Sequence, residues 1–134
     1  MLKKIHKLEQ AIVQILNLDG WQLKWTGEGS QSWDAEGLTP KGKECVIEMK
    51  FRNKHYDTKM LEQFKYDKLI ATGKVALYFV NDPKANYLFW LNDIELPEPE
   101  NKYCPDTTMW TKKRVLKPCY LLNEDDAILI NKNN

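Results

Sequence analysis

The sequence predicts a mixed α/β fold, a sheet flanked by helices and not a regular βαβ repeat. Three observations carry this. An amphipathic helix opens the chain, residues 44–52 alternate in polarity save at Val46, and Val75–Val80 is almost continuously apolar. At 134 residues the chain has the length of one domain with one core, and 43% apolar with 29% charged residues excludes collagen-like and largely disordered classes.

Taken in order, residues 3–17 place Ile5, Leu8, Ile12, Ile15 and Leu16 on one helical face, and Asp19-Gly20 ends the helix. Trp21 to Trp25 alternates apolar and polar and reads as a strand, with Trp21 and Trp25 inward; a second strand spans about Gln31 to Gly37. After the turn Thr39-Pro40-Lys41-Gly42, Cys45, Ile47, Met49 and Phe51 occupy one face of a third strand. Glu44, Val46, Glu48, Lys50 and Arg52 occupy the other, the pattern of a sheet with one buried face. Asp57-Thr58 reads as the cap of a helix over about 58–72, ended by Gly73. Val75–Val80 suits a central strand buried on both faces, and Tyr87–Leu91 is a further strand. Leu96 to Glu100 is a loop, Val115–Leu122 is a strand placed at a sheet edge by Pro118, and Asn131–Asn134 is a frayed tail.

Net charge is only +1, so overall charge points to no polyanion partner. Its distribution is uneven: residues 50–74 hold seven Lys/Arg against three acids, and Lys112, Lys113, Arg114 and Lys117 form a second basic group. Acid gathers in Asp93, Glu95, Glu98, Glu100 and Asp106. No run of residues is long and apolar enough for a membrane span or a signal-peptide core, which gives a cytoplasmic expectation. Cys45, Cys104 and Cys119 form no metal-ligand spacing with His6 or His55 and read as free thiols, buried or semi-buried.

The second and third strands are close enough for an antiparallel hairpin. Apolar must face apolar, and a turn centred on Lys41 meets that requirement. It sets Trp33 opposite Met49, both toward the core, and Ala35 opposite Ile47. Asp34 then lies directly opposite Glu48. Opposed carboxylates repel unless positive charge lies between them. A divalent cation supplies it, and Lys50, next on the same face, supplies part of it without a metal. Two carboxylates completed by water and backbone carbonyls suit Mg²⁺, and a neighbouring lysine can orient water or stabilise charge on a phosphate.

Asp34, thirteen residues, then Glu48-Met49-Lys50 on a strand resembles the core of the PD-(D/E)XK nuclease superfamily, and the stretch Tyr56 to Tyr66 is similar to small phage-type members. The resemblance covers about residues 3–80. It implies a restriction-endonuclease-like mixed sheet with an α-β-β-β-α-β core, flanked by helices, with extra strands over about 81–130 of a single domain spanning 1–134. It further implies an Mg²⁺-dependent deoxyribonuclease, with Mn²⁺ as substitute, acting on duplex or branched DNA. Asp34 and Glu48 would hold the metal with the Met49 carbonyl, and Lys50 would assist the attacking water.

Some members add an acid from the first helix. Glu9 lies inside the apolar arc here, where an ionised carboxylate is costly unless paired or metal-bound, or unless its stem reaches water at the arc's edge. Some add a glutamine on the helix after the ExK strand. Gln63 falls on that helix's apolar side, although Asp67 shares the arc and Tyr66 is one residue short of the family spacing. Trp33 stands where the pattern has proline. Arg52, Lys54, His55, Lys59 and Lys65 would flank a passing phosphate backbone. The competing expectation is a catalytically inactive nuclease-like module that binds nucleic acid or a host protein. Cutting two strands calls for two sites, hence a homodimer as the expected assembly.

Overall fold

The computed structural model describes residues 2–29, 32–105 and 114–132. Gln31, Asp106, Lys112, Lys113, Asn133 and Asn134, named above, lie outside them. The elements are α1 (Leu2–Leu18), β1 (Gln22–Trp25), β2 (Ala35–Leu38), β3 (Glu44–Phe51), β4 (Thr58–Glu62), α2 (Gln63–Ile70), β5 (Val75–Asn81), β6 (Ala85–Trp90), β7 (Glu100–Pro105), β8 (Arg114–Asn123), a 3₁₀ turn (Glu124–Asp126) and β9 (Ile128–Lys132).

Six strands form one sheet in the order β1-β2-β3-β5-β6-β9, with β3 and β5 parallel and the other neighbours antiparallel. Strands β4, β8 and β7 form a second sheet, with β8 in the middle. One face of the large sheet packs Cys45, Ile47, Met49, Leu77 and Phe79 against Val13 and Leu16 of α1. The opposite face packs Val46, Tyr78 and Phe89 against Leu69 of α2 and Leu61, Tyr120 and Leu122 of the small sheet. β5 is therefore buried on both faces, as its apolar run requires.

The β2–β3 hairpin has the register expected from a turn centred on Lys41, Ala35 opposite Ile47 and Leu38 opposite Glu44. Gly37 makes the adjoining β1–β2 contact possible. Its φ is +154°, and a Cβ there would stand 2.0 Å from the Gln22 carbonyl oxygen and 2.9 Å from Leu23 Cα. Both are backbone atoms, so the clash has no flexible side chain to absorb it. Gly37→Ala is expected to destabilise the fold by about 3 kcal/mol, read as a lowered denaturation midpoint at unchanged slope.

Several sequence expectations are corrected. Residues 58–72 are not one helix: 58–62 form β4, held against residues 119–123 of β8, and the helix starts only at Gln63. β3 does not have one buried face, because α2 and the small sheet cover its polar side and leave Glu48 only 8% exposed. β8 is central, not an edge; Pro118 is tolerated because the β4 pairing ends at Cys119 and does not reach it. Glu100 begins a strand, and Asn131 and Lys132 belong to β9, not to a tail. On α1 the buried stripe runs through Glu9, Val13 and Leu16, while Ile5, Leu8 and Ile15 are exposed. The three cysteines are free and buried, as their spacing implied.

Candidate active site

Asp34 lies just ahead of β2, where the ladder ends. Its N–H donates to the Ile47 carbonyl (2.9 Å), and its own carbonyl accepts from Thr26 N–H (2.8 Å), so its backbone ties β3 to the residue after β1. Its Oδ2 accepts from Met49 N–H at 2.8 Å. The residues ahead of β2 bend away from strand geometry, so Trp33 does not face the Met49 core as expected. Its indole packs on the Val46–Tyr78 side and donates Nε1–H to Glu36 Oε1 at 2.8 Å.

Glu48 projects from β3 into the space beneath α2, where Lys65 Nζ stands 3.4 Å from its Oε2. Burial first, then the Asp34 charge, raise the Glu48 carboxyl to about 7 against the pull of Lys65; Glu9 adds a smaller push in the same direction. Asp34 is also raised by burial, opposed by the Met49 N–H and by the Lys65, His6 and Lys50 charges. Glu9 is buried at 5% exposure, and its Oε1 accepts from Trp25 Nε1–H at 2.9 Å. Its carboxyl is raised by burial and by Asp34, with the Trp25 bond acting against both. The structure therefore brings Glu9, from the buried stripe of α1, into electrostatic reach of Asp34 and Glu48.

Lys50 follows Glu48 on the same face and lines with it a cavity of about 160 Å³ that Arg52, Glu62, Lys65 and Arg114 also border. Burial, then Arg52 and Lys65, lower its ammonium, while Glu48 and Glu62 favour the charged form. Lys65 is held between Glu48 and Glu62 (3.9 Å), and these carboxylates raise its pKa in spite of burial. The sequence reading missed Glu62 and Trp25 as partners in this group; His6, whose ring meets the Trp25 indole edge at 5.2 Å, is the third. Glu62 had no legible signal, because the expected helix hid its strand position. His6 did have one, being a titratable residue one turn before Glu9.

Gln63 is the first residue of α2, and its Nε2–H donates to the Tyr120 hydroxyl at 3.2 Å. Its amide is thus engaged toward the small sheet. Arg52 and Lys54 border a second cavity of about 320 Å³. Lys59 also borders it, but its placement corrects the surface role expected for it. The side chain is 4% exposed, its Nζ lies 2.9 Å from Asp82 Oδ2, and it donates to the Tyr56 carbonyl. His55 is likewise turned inward, onto Asp82. Met49 lends its N–H to Asp34 and keeps its side chain in the α1-facing core.

This set of elements and contacts can be set beside known proteins. No family model matches the chain, and no curated protein does. Among solved structures it is similar to Archaeoglobus fulgidus Hjc, described as a Holliday junction resolvase from an archaeal hyperthermophile. The TM-score is 0.61 over 92% of this chain and 89% of that one, at 16% identity. The fold is the restriction-endonuclease-like one, a mixed sheet with few helices. No described helix is long and apolar enough to cross a membrane.

Proposed function

We propose that this chain is a divalent-metal-dependent nuclease that hydrolyses phosphodiester bonds in DNA, with Asp34, Glu48 and Lys50 at the reacting centre. The observation that carries the reading is the gathering of Asp34, Glu48 and Glu9, with their carboxyls held above their ordinary values, around β3 of this fold. Without a cation such a group retains a proton near neutral pH. A divalent ion can take the proton's place, and carboxylate oxygens are the donors that Mg²⁺ or Mn²⁺ prefer. The residues therefore fit the metal: Asp34 and Glu48 would hold it, with Glu9 and the Met49 carbonyl as further oxygens.

A bound ion supplies positive charge to the scissile phosphate and acidifies a water. Met49 N–H fixes the Asp34 carboxylate in its orientation. Lys50 presents an ammonium, made more willing to release a proton by burial and then by its cationic neighbours, beside Glu48, where it can orient the attacking water or neutralise developing charge. Lys65 balances Glu48 and Glu62 when the ligand set is otherwise uncompensated. Arg52, Lys54 and Arg114, at the borders of the two cavities, can take the flanking phosphates. What the resolvase's description says of that protein makes a four-way junction the first substrate to try.

The test is cleavage of supercoiled plasmid, linear duplex, single strands and a four-way junction in Mg²⁺, Mn²⁺ or EDTA. Metal-dependent cutting, strongest on the junction and lost in Asp34→Ala and Glu48→Ala proteins, is expected. A folded wild type that cuts none of the four overturns the reading in favour of an inactive, binding-only module.

A further inference from the structure

A second group of ligating side chains stands apart from the carboxylates around β3, where the β3–β4 connection meets the turn after β8. One atom each from His55, Asp57 and Glu124 all lie within 4.8 Å of one another. The Glu124 N–H already donates to the Asp57 carbonyl at 3.2 Å, so the backbone holds the two segments together.

The histidine's two nitrogens differ in their surroundings. Nδ1 is 2.8 Å from Oδ2 of the buried Asp82, the contact that a metal-binding imidazole makes through its non-ligating N–H. In the neutral imidazole that bond leaves Nε2 with the lone pair a metal would take. Nε2 is buried and has no hydrogen-bond partner, although Asp57 Oδ1 is 3.3 Å and Glu124 Oε2 3.4 Å away. Those separations exceed the ordinary N–H···O range of about 2.7–3.2 Å. They match the edge of a coordination tetrahedron, because two ligand atoms each about 2.0–2.1 Å from zinc are about 3.4 Å apart.

Charge argues the same way. Lys59 Nζ lies 2.9 Å from Asp82 Oδ2, 3.4 Å from Glu124 Oε2 and 4.3 Å over the Tyr87 ring, while Asp57 and Glu124 each turn a carboxylate oxygen toward His55 Nε2. A divalent ion at Nε2 would place positive charge between the Asp57 and Glu124 carboxylates. One nitrogen and two carboxylate oxygens suit zinc and its neighbours, whereas Mg²⁺ prefers an all-oxygen shell.

We propose that His55, Asp57 and Glu124 bind a divalent transition-metal ion of the zinc type, with water in the fourth position and Asp82 orienting the histidine. The ion clips the connection that follows Lys50 and Arg52 to the end of the small sheet. Its role is to fix that connection, and its binding adds to folding stability.

The experiment uses the full chain, stripped of metal, as wild type and as an Asp34→Asn/Glu48→Gln protein in which the other carboxylate group cannot compete. Each is titrated with Zn²⁺ in millimolar Mg²⁺, and with Co²⁺ for its absorption spectrum. The double variant is expected to bind one equivalent of Zn²⁺, to show the intense visible bands of tetrahedral Co²⁺, and to melt at higher temperature with zinc. Adding His55→Gln should weaken binding about 100-fold or more, and Asp57→Asn, whose side chain is 91% exposed and so costs the fold little, about tenfold or more. The proposal is overturned if both parent proteins melt cooperatively yet bind no zinc beside Mg²⁺. It is equally overturned if His55→Gln and Asp57→Asn leave the affinity unchanged. A protonated imidazole is then what holds the two carboxylates. Neither result depends on whether the chain cleaves DNA.

Discussion

Replacing Glu48 with glutamine is expected to lower metal-dependent cleavage about 10³-fold or more, a loss of about 4 kcal/mol of transition-state stabilisation, and at the same time to make the metal-free protein more stable. The two effects share one cause. The Glu48 carboxyl is raised to about 7 by burial and by Asp34, so its charged form opposes folding. A carboxyl raised in the folded state contributes stability that is full below its unfolded value near 4.5 and is lost as pH climbs through about 7. Metal-free wild type should therefore lose stability between pH 5 and 8, and divalent cation should restore it. The glutamine protein, which has no charge to bury, should show a flatter profile over that range, with Lys65 retaining Glu62 as its partner. Thermal unfolding in EDTA at pH 5 and pH 8, set beside cleavage of a labelled four-way junction, reads both quantities. Activity within tenfold of wild type would remove Glu48 from the reacting centre.

The largest expected effect on stability falls at Asp82, 2% exposed and in contact with Lys59 Nζ (2.9 Å) and His55 Nδ1 (2.8 Å). Its Oδ1 also accepts from the N–H groups of Lys84 (2.8 Å) and Ala85 (3.1 Å). Burial alone would raise this carboxyl, but its bonds to Lys59, His55 and the two backbone amides hold it at about 2. Asp82→Ala leaves the buried Lys59 ammonium without its nearest counter-charge, and a loss of about 3–5 kcal/mol in urea unfolding is expected. Asp82→Asn can keep the Oδ1 contacts and should cost less. The pH sign is opposite to that of Glu48: the Asp82 contribution is complete above the ordinary aspartate value near 4 and disappears as pH falls toward 2. Acid unfolding of wild type below pH 4, shifted in Asp82→Asn, checks it.

Much of the arrangement around β3 was legible because period-two alternation leaves little freedom. Once Cys45, Ile47 and Met49 face one core, Glu48 and Lys50 must face the other side, and the apolar match fixes Ala35 against Ile47. Strand logic failed one residue further out, where the ladder stops and Asp34 turns its carboxylate onto the Met49 N–H instead of standing squarely across from Glu48. Lys59 misled for a related reason. A lysine in a basic stretch reads as solvated until the fold places Asp82 and Glu124 beside it, and those partners come from distant strands and turns. Lys65 came to the carboxylates only because α2 begins at Gln63, an offset set by β4 and invisible in helical periodicity.

The strand β4 carries a consequence for how the chain reaches its native state. Lys59, Met60, Leu61 and Glu62 are good helix formers, and locally nothing opposes a helix through them. They become a strand only by pairing with residues 119–123, on the far side of β5, β6 and β7 in the sequence. Such a pairing has high contact order, so the ordering entropy of the intervening chain is lost before the contact forms. Until β8 arrives, residues 58–62 keep their local preference, and Lys65 has no fixed platform from which to meet Glu48. Formation of the carboxylate–lysine group is thereby tied to the strand pairing of greatest sequence separation among the described residues.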